Sequence, residues 1–192
     1  MTTPSGDNDI HALVLNLLGA FSNLQDYADT MVARRFFDKQ IPKVADFVWK
    51  RAVSRIKDEE RINLFLAIAE ELDTDAELDS IKAVFMRAKR LRDNVAHSAS
   101  ISANGEGRLM ISKTLVSSLQ EPTPDPTEVE RGQILAAIHD CRWVHAQMTY
   151  VMYAGNYYVK LYLGSVELEV LKPPGTPEQW DGNPFRRVGE SR

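Results

Sequence analysis

Arg92 and His97 are the residues of this chain whose types and spacing best suit chemistry on a phosphate. They stand in the string Arg87-Ala-Lys-Arg-Leu-Arg-Asp-Asn-Val-Ala-His97. An arginine is a permanent cation whose forked N–H donors match phosphate oxygens, and a histidine moves a proton near neutral pH. Read as a helix at about 100° per residue, the segment from Asp75 puts Leu78, Ile81, Val84, Phe85, Ala88, Leu91 and Val95 on one apolar stripe. Arg92 falls inside that stripe, where the period calls for an apolar side chain. A charge facing a core is costly unless it is paired or lines a cleft. Positions five apart are separated by about 140° around an ideal helix, so Arg92 and His97 cannot share one straight face. Either the helix ends before His97, or groups from two chains converge. Asp93 and His97 lie one turn apart and can touch, which predicts an Asp–His hydrogen bond.

The surroundings add charge but no second site. Arg87, Lys89 and Arg90 offer a local attraction for a nucleic-acid backbone that the net charge of −4 withholds. The competing explanation is structural. Arg92 is then a half-buried arginine paired with a carboxylate from another helix, His97 a helix-end residue favoured by the dipole, and Arg87, Lys89 and Arg90 a solvated face. His145 falls on an apolar stripe and reads as a core histidine. The single Cys141 rules out an intrachain disulfide framework and reads as a small buried residue in a reducing compartment. No set of His, Cys, Asp or Glu has zinc-site spacing, and Asn104-Gly-Glu-Gly107 lacks the strand and helix of a phosphate loop. No metal or other cofactor is expected.

The elements that must position these residues are mostly helices. The apolar fraction of 44% and charged fraction of 26% are those of an ordinary soluble globular protein. No apolar run approaches the roughly 20 residues of a membrane span, and residues 1–9 lack the pattern of a signal peptide, so a cytoplasmic protein is expected. Ile10, Leu13, Val14, Leu17, Phe21, Leu24, Ala28 and Met31 recur at helical spacing and predict a long helix from Asp9 to about Phe37. A shorter helix is expected after Pro42, on Val44, Phe47, Val48 and Ala52. Another follows Asp58-Glu59-Glu60, with Ile62, Phe65, Leu66, Ala69 and Leu72 inward. Thr74 with Glu77, and Thr127 with Glu130, have the spacing of capping boxes that open two further helices. The second of these runs to about Ala154, with Ile134, Ala137, Ile138, Cys141, Val144, Met148 and Val151 inward. Between them, Ile101, Leu109 and Ile111 around Asn104-Gly105 suggest a short hairpin, and prolines in 120–126 a stiff connector. Residues 158–171 alternate with period two about Gly164-Ser165. A hairpin there pairs Leu163 with Val166, Leu161 with Leu168, Val159 with Val170 and Lys160 with Glu169. Residues 172–192 show no periodic apolar pattern and read as an extended tail.

The string Leu91-Arg-Asp-Asn-Val-Ala-His97 resembles the signature of the HEPN superfamily, small α-helical domains with an arginine, four to six residues, then a histidine. The residue after the arginine is polar there, and here it is Asp93, with Asn94 next. Many members have asparagine directly after the arginine, and Asp93 departs from that. The resemblance covers residues 9–155 and implies a mainly α fold, a HEPN-like helical bundle with one or two small β-hairpins at its edge. The domain reading is therefore 9–155 as the helical domain, 156–171 as a hairpin appendage and 172–192 as the tail. The resemblance also implies a metal-independent endoribonuclease that acts as a homodimer on RNA, as a toxin or a phage-defence effector with an antitoxin or regulatory protein as a further partner. His97 then moves a proton at the ribose 2′-hydroxyl or the leaving oxygen, Arg92 stabilises phosphate charge and Asp93 orients a catalytic side chain. Arg87, Lys89, Arg90 and Asn94 contact the RNA. The alternative within the family is a non-catalytic dimerisation or nucleotide-binding adaptor. A third reading, from the residues alone, is a structural helical protein whose C-terminal hairpin pairs its edge with a partner.

Overall fold

A computed structural model describes residues 6–36, 55–104, 108–113, 126–154, 161–163 and 166–189. The described chain is mainly helical, with two small antiparallel sheets. In chain order it runs α1 (Gly6–Phe36), α2 (Asp58–Glu71), α3 (Ile81–Ala96), β1 (Ser98–Ala103), β2 (Arg108–Lys113), β3 (Thr127–Glu130), α4 (Arg131–Ala154), β4 (Leu161–Leu163), β5 (Val166–Val170) and β6 (Phe185–Arg187). The helix expected after Pro42 lies outside the described residues. The chain divides into two compact units, one of Met1–Ser22 with Met86–Cys141 and one of Asn23–Phe85 with Arg142–Arg192.

In the first unit the start of α1, the end of α3 and the start of α4 bury Ile10, Val14, Leu17, Phe21, Ala88, Val95, Ile134, Ala137 and Ile138. These are the positions that three- and four-residue spacing selects, because only side chains on one stripe can leave water together. Here β1, β2 and β3 form one sheet in that order. Ile101 lies opposite Ile111, and Leu109 opposite Val129. Leu109, Ile111 and Val129 are buried, so the sheet contributes an apolar face of its own.

The second unit holds the rest of α1, α2, the start of α3, the rest of α4 and the second sheet. Ile62, Phe65 and Ala69 of α2 are buried as expected. On α4, Trp143, Ala146, Gln147 and Thr149 are buried along with the expected Val144, Met148 and Val151. A helix enclosed on several sides loses its polar face, and the period alone does not reveal that. Leu163 lies opposite Val166 and Leu161 opposite Leu168, as the alternation predicts. Val159 and Lys160 lie outside the described residues.

Three expectations are corrected. Thr74 does not open a helix: its Oγ1 accepts from the Ala76 N–H at 3.3 Å, a local turn two residues long, and α3 starts at Ile81. The stretch between is occupied otherwise, with Tyr150 Oη donating to Asp75 at 2.8 Å and Ser80 Oγ to the Gly175 carbonyl at 2.5 Å. Thr127–Glu130 is strand and not helix, because β2 offers it a ladder and a buried place for Val129. The helix starts immediately after, with the Gln133 side chain accepting from the Glu130 N–H at 2.8 Å. Finally, the stretch read as an extended tail carries structure to residue 189. A 3₁₀ turn covers Pro177–Gln179, and β6 pairs with β5. Within this sheet Glu169 accepts from Arg186 Nη2 at 2.6 Å and Nε at 3.1 Å. A lone short strand without apolar alternation is invisible until its partner strand is known.

Candidate functional site at the end of helix α3

All seven candidate residues lie in the first unit, on the last turns of α3 or just past its end. The helix carries them because Ala88 and Val95 are buried beneath it. Arg92 occupies the apolar stripe as the period predicts. Its guanidinium carbon lies 4.3 Å from the centre of the Phe21 ring on α1, and its side chain is 18% exposed. Stacking on a ring face lets a guanidinium sit against apolar surface while it keeps an electrostatic partner. Its Nη1 is 3.0 Å from Asp93 Oδ1.

Asp93 also takes the ammonium of Lys89 one turn back, on its other oxygen. Both carboxylate oxygens thus face cations of the same helix. No Asp93–His97 side-chain hydrogen bond forms among the described residues. The link between the two is backbone, with the His97 N–H donating to the Asp93 carbonyl at 3.0 Å. His97 is exposed, as is Arg90, while Asn94 and Lys89 are half-buried. Arg92 points inward and His97 outward, in keeping with the 140° or so between them.

Arg87 is engaged within the chain. Its Nε and Nη2 donate to the two oxygens of Asp140 on α4 at 2.7 and 2.8 Å. This is the planar two-point geometry that an arginine makes with a carboxylate. The Asp140 side chain is only 4% exposed, whereas that of Arg87 is 56% exposed. Asp140 therefore holds the orientation of Arg87 while much of the Arg87 side chain stays exposed.

The thiol of Cys141 is pushed up to about 12, by burial first and then by the Asp140 carboxylate, against the opposing effect of Arg92. A thiol so placed is protonated at neutral pH and is no nucleophile. No family model matches this chain, and neither a curated protein nor a solved structure matches it.

Asp140, Phe21 and Ser98 touch this region and were not singled out from the sequence. Asp140 had a weak signal, a charge next to buried Cys141 on an apolar stripe. Phe21 looked like any core aromatic. His145, read as a core histidine, packs edge-on against Tyr27 with ring centres 4.3 Å apart, and burial lowers its pKa. Among the described residues no group of three His, Cys, Asp or Glu side chains is placed to hold a metal ion. A cavity of about 460 Å³ belongs to the second unit and is lined in part by Glu77, Lys172, Pro174 and Trp180. None of the seven candidates lines it. No helix among the described residues is long and apolar enough to cross a membrane.

Proposed function

We propose that this chain is a HEPN-type helical module that cleaves RNA without a metal, with His97 and Arg92 as the reacting pair. The observation that carries the proposal is an exposed histidine fixed at the end of a helix whose last two turns hold Lys89, Arg90 and Arg92. The resemblance of Leu91–His97 to the family signature supports it.

In the reaction a base removes the proton of a ribose 2′-hydroxyl, and the 2′-oxygen attacks the adjacent phosphorus. The bond to the 5′-oxygen breaks, and that oxygen takes up a proton. The products are a 2′,3′-cyclic phosphate and a free 5′-hydroxyl. His97 moves one of these protons, and Arg92 compensates the charge on the equatorial phosphate oxygens. Because Arg92 points inward from α3 and His97 stands exposed just past its end, the working site combines His97 of one copy with Arg92 of a second. Lys89 and Arg92 each meet one oxygen of Asp93, so Asp93 sets the direction of the arginine. Arg87, Arg90 and Asn94 supply contacts to the RNA backbone. On this proposal the protein works in the cytoplasm as a homodimer, as a toxin or defence effector restrained by an antitoxin or regulatory protein.

One observation favours the non-catalytic adaptor instead. Arg92 is stacked on Phe21 and paired with Asp93, an arrangement that can serve binding without turnover. The deciding experiment is cleavage of RNA in excess chelator by the wild type, Arg92→Ala and His97→Ala, with folding followed by circular dichroism. Cleavage that both substitutions abolish supports the enzyme. A folded, dimeric wild type that binds RNA but never cuts it supports the adaptor. Activity that survives both substitutions refutes the choice of residues.

A further inference from the structure

Helix α3 ends at Ala96 and β1 begins at Ser98, so His97 is the single residue between a helix and a strand. Helices often stop through a glycine in the left-handed region, which lets its own N–H and the next one bond back to the last carbonyls. This one does not. Among the described residues only Asp73, Gly182 and Gly189 have positive φ. The turn is made by Ser98, whose Oγ–H donates back to the Val95 carbonyl at 2.6 Å. The Ser98 backbone is at the same time opposite Lys113 in the β1–β2 ladder, and the register shifts before Ser100. That shift leaves Ala99 as the extra residue of a bulge, a device that re-aims the chain. His97 is therefore held on its N-terminal side by the bond to Asp93 and on its C-terminal side by Ser98. Its side chain remains exposed.

We propose that Ser98 is a positioning residue for His97: its hydroxyl fixes the backbone turn from which the imidazole leaves the chain. The proposal rests on the proton-transfer role assigned to His97 above. Proton transfer needs donor and acceptor within about 2.6–3.2 Å, and an exposed imidazole has no packing to hold it there. The constraint has to come from the main chain. A misplacement of about 1 Å can lower a rate about a hundredfold, so a turn loosened by less than that costs roughly tenfold.

The test uses the full chain and three variants, Ser98→Ala, the near-isosteric Ser98→Cys, and Ser98→Thr, which keeps the hydroxyl. Backbone ¹⁵N order parameters at His97 are measured beside chelator-resistant RNA cleavage. The order parameter should fall from about 0.85 to below about 0.6 in Ser98→Ala and stay high in Ser98→Thr. In cleavage, kcat should drop about tenfold in Ser98→Ala and Ser98→Cys with KM unchanged, and Ser98→Thr should restore it. Equal kcat in all four proteins overturns the proposal, as does an equal loss in Ser98→Thr. If Ser98→Ala does not fold, Ser98→Cys carries the same comparison. A wild type that cuts no RNA refutes the assigned chemistry, not the turn; the order parameters then decide alone, and rigidity retained in Ser98→Ala overturns the proposal.

Discussion

Removing the Asp29 carboxylate should be among the most damaging single changes to this fold. Arg61 lies on α2 with a side chain only 6% exposed. Its Nε and Nη2 donate to Asp29 Oδ1 and Oδ2 of α1 at 2.5 and 3.1 Å, and its Nη1 to Asp58 Oδ1 at 2.7 Å. Breaking a buried pair by deleting one partner costs about 3–5 kcal/mol, because a charge is left uncompensated away from water. Arg61 keeps Asp58, but that oxygen also accepts from Gln25 Nε2 at 2.6 Å. The remaining carboxylate therefore replaces only part of the loss, and Asp29→Ala should cost about 3 kcal/mol, the low end of that range. For a chain of this length each kcal/mol moves Tm by about 2–4 °C, so a fall of roughly 6–12 °C is expected. Asp29→Asn, which keeps the shape and one acceptor, should lose about half as much. Differential scanning calorimetry of the three proteins, read on the transition of the unit that holds both residues, gives the numbers. A double-mutant cycle with Arg61→Met isolates the pair. A buried pair is also weakly screened, so the difference should persist between about 0.05 and 0.5 M salt. A Tm change below about 2 °C for Asp29→Ala, or one that salt abolishes, would refute the claim that Arg61 depends on this carboxylate.

Tyr150 is pushed up to about 12, by burial first and then by its hydrogen bond to Asp75. Its folded pKa lies above the unfolded value of about 10, so its contribution to stability is complete below about pH 10 and is lost as pH rises toward 12; Tyr150→Phe should flatten that limb in alkaline urea titrations. Asp75 is lowered, chiefly by the Tyr150 hydrogen bond, and its contribution should be lost as pH falls from about 4 through the folded pKa, a limb that Asp75→Asn removes from acid denaturation curves. Cys141 should resist iodoacetamide at pH 8 in the native protein and react on unfolding, read by mass spectrometry. Asp140→Asn should break the two-point contact to Arg87 and cost about 2 kcal/mol in urea unfolding, while Arg108→Ala, an exposed ion-pair change, should cost under about 1 kcal/mol.

Much of the helical framework was legible because a stripe of apolar residues has one cause. Leu17, Phe21 and Leu24 repeat at helical spacing, and all three are buried on α1. Arg92 was legible for the opposite reason: a charge in such a stripe demands an explanation, and the Phe21 ring beneath it supplies one. The two capping boxes misled because a threonine followed by a glutamate is a local preference of about 1 kcal/mol. Val129 gains more by covering β2, and Thr74 is held in a segment that α4 and the chain after β5 bind from outside. Arg61 gave no signal at all. It sits beside Ile62 with the acidic turn Asp58–Glu60 before it, and nothing local distinguishes a guanidinium that meets Asp29 from one that meets water. The expected Asp93–His97 bond was sound as spacing but overlooked Lys89, which is equally one turn from Asp93 and of stronger charge.

Joining α3 to β1 through one residue, and β3 to α4 through none, also constrains how this segment can change its length. A helix rotates about 100° per residue and a strand alternates every residue. With no loop between them, the phase of one sets the face of the other. An insertion after His97 would turn Ile101 from its place opposite Ile111 to the other side of the sheet. A deletion would do the same and swing the histidine with it. The connection from β1 to β2 carries no such coupling, since it joins two strands already paired with each other. Variation in length should therefore accumulate between β1 and β2, while the junction at His97 keeps its residue count.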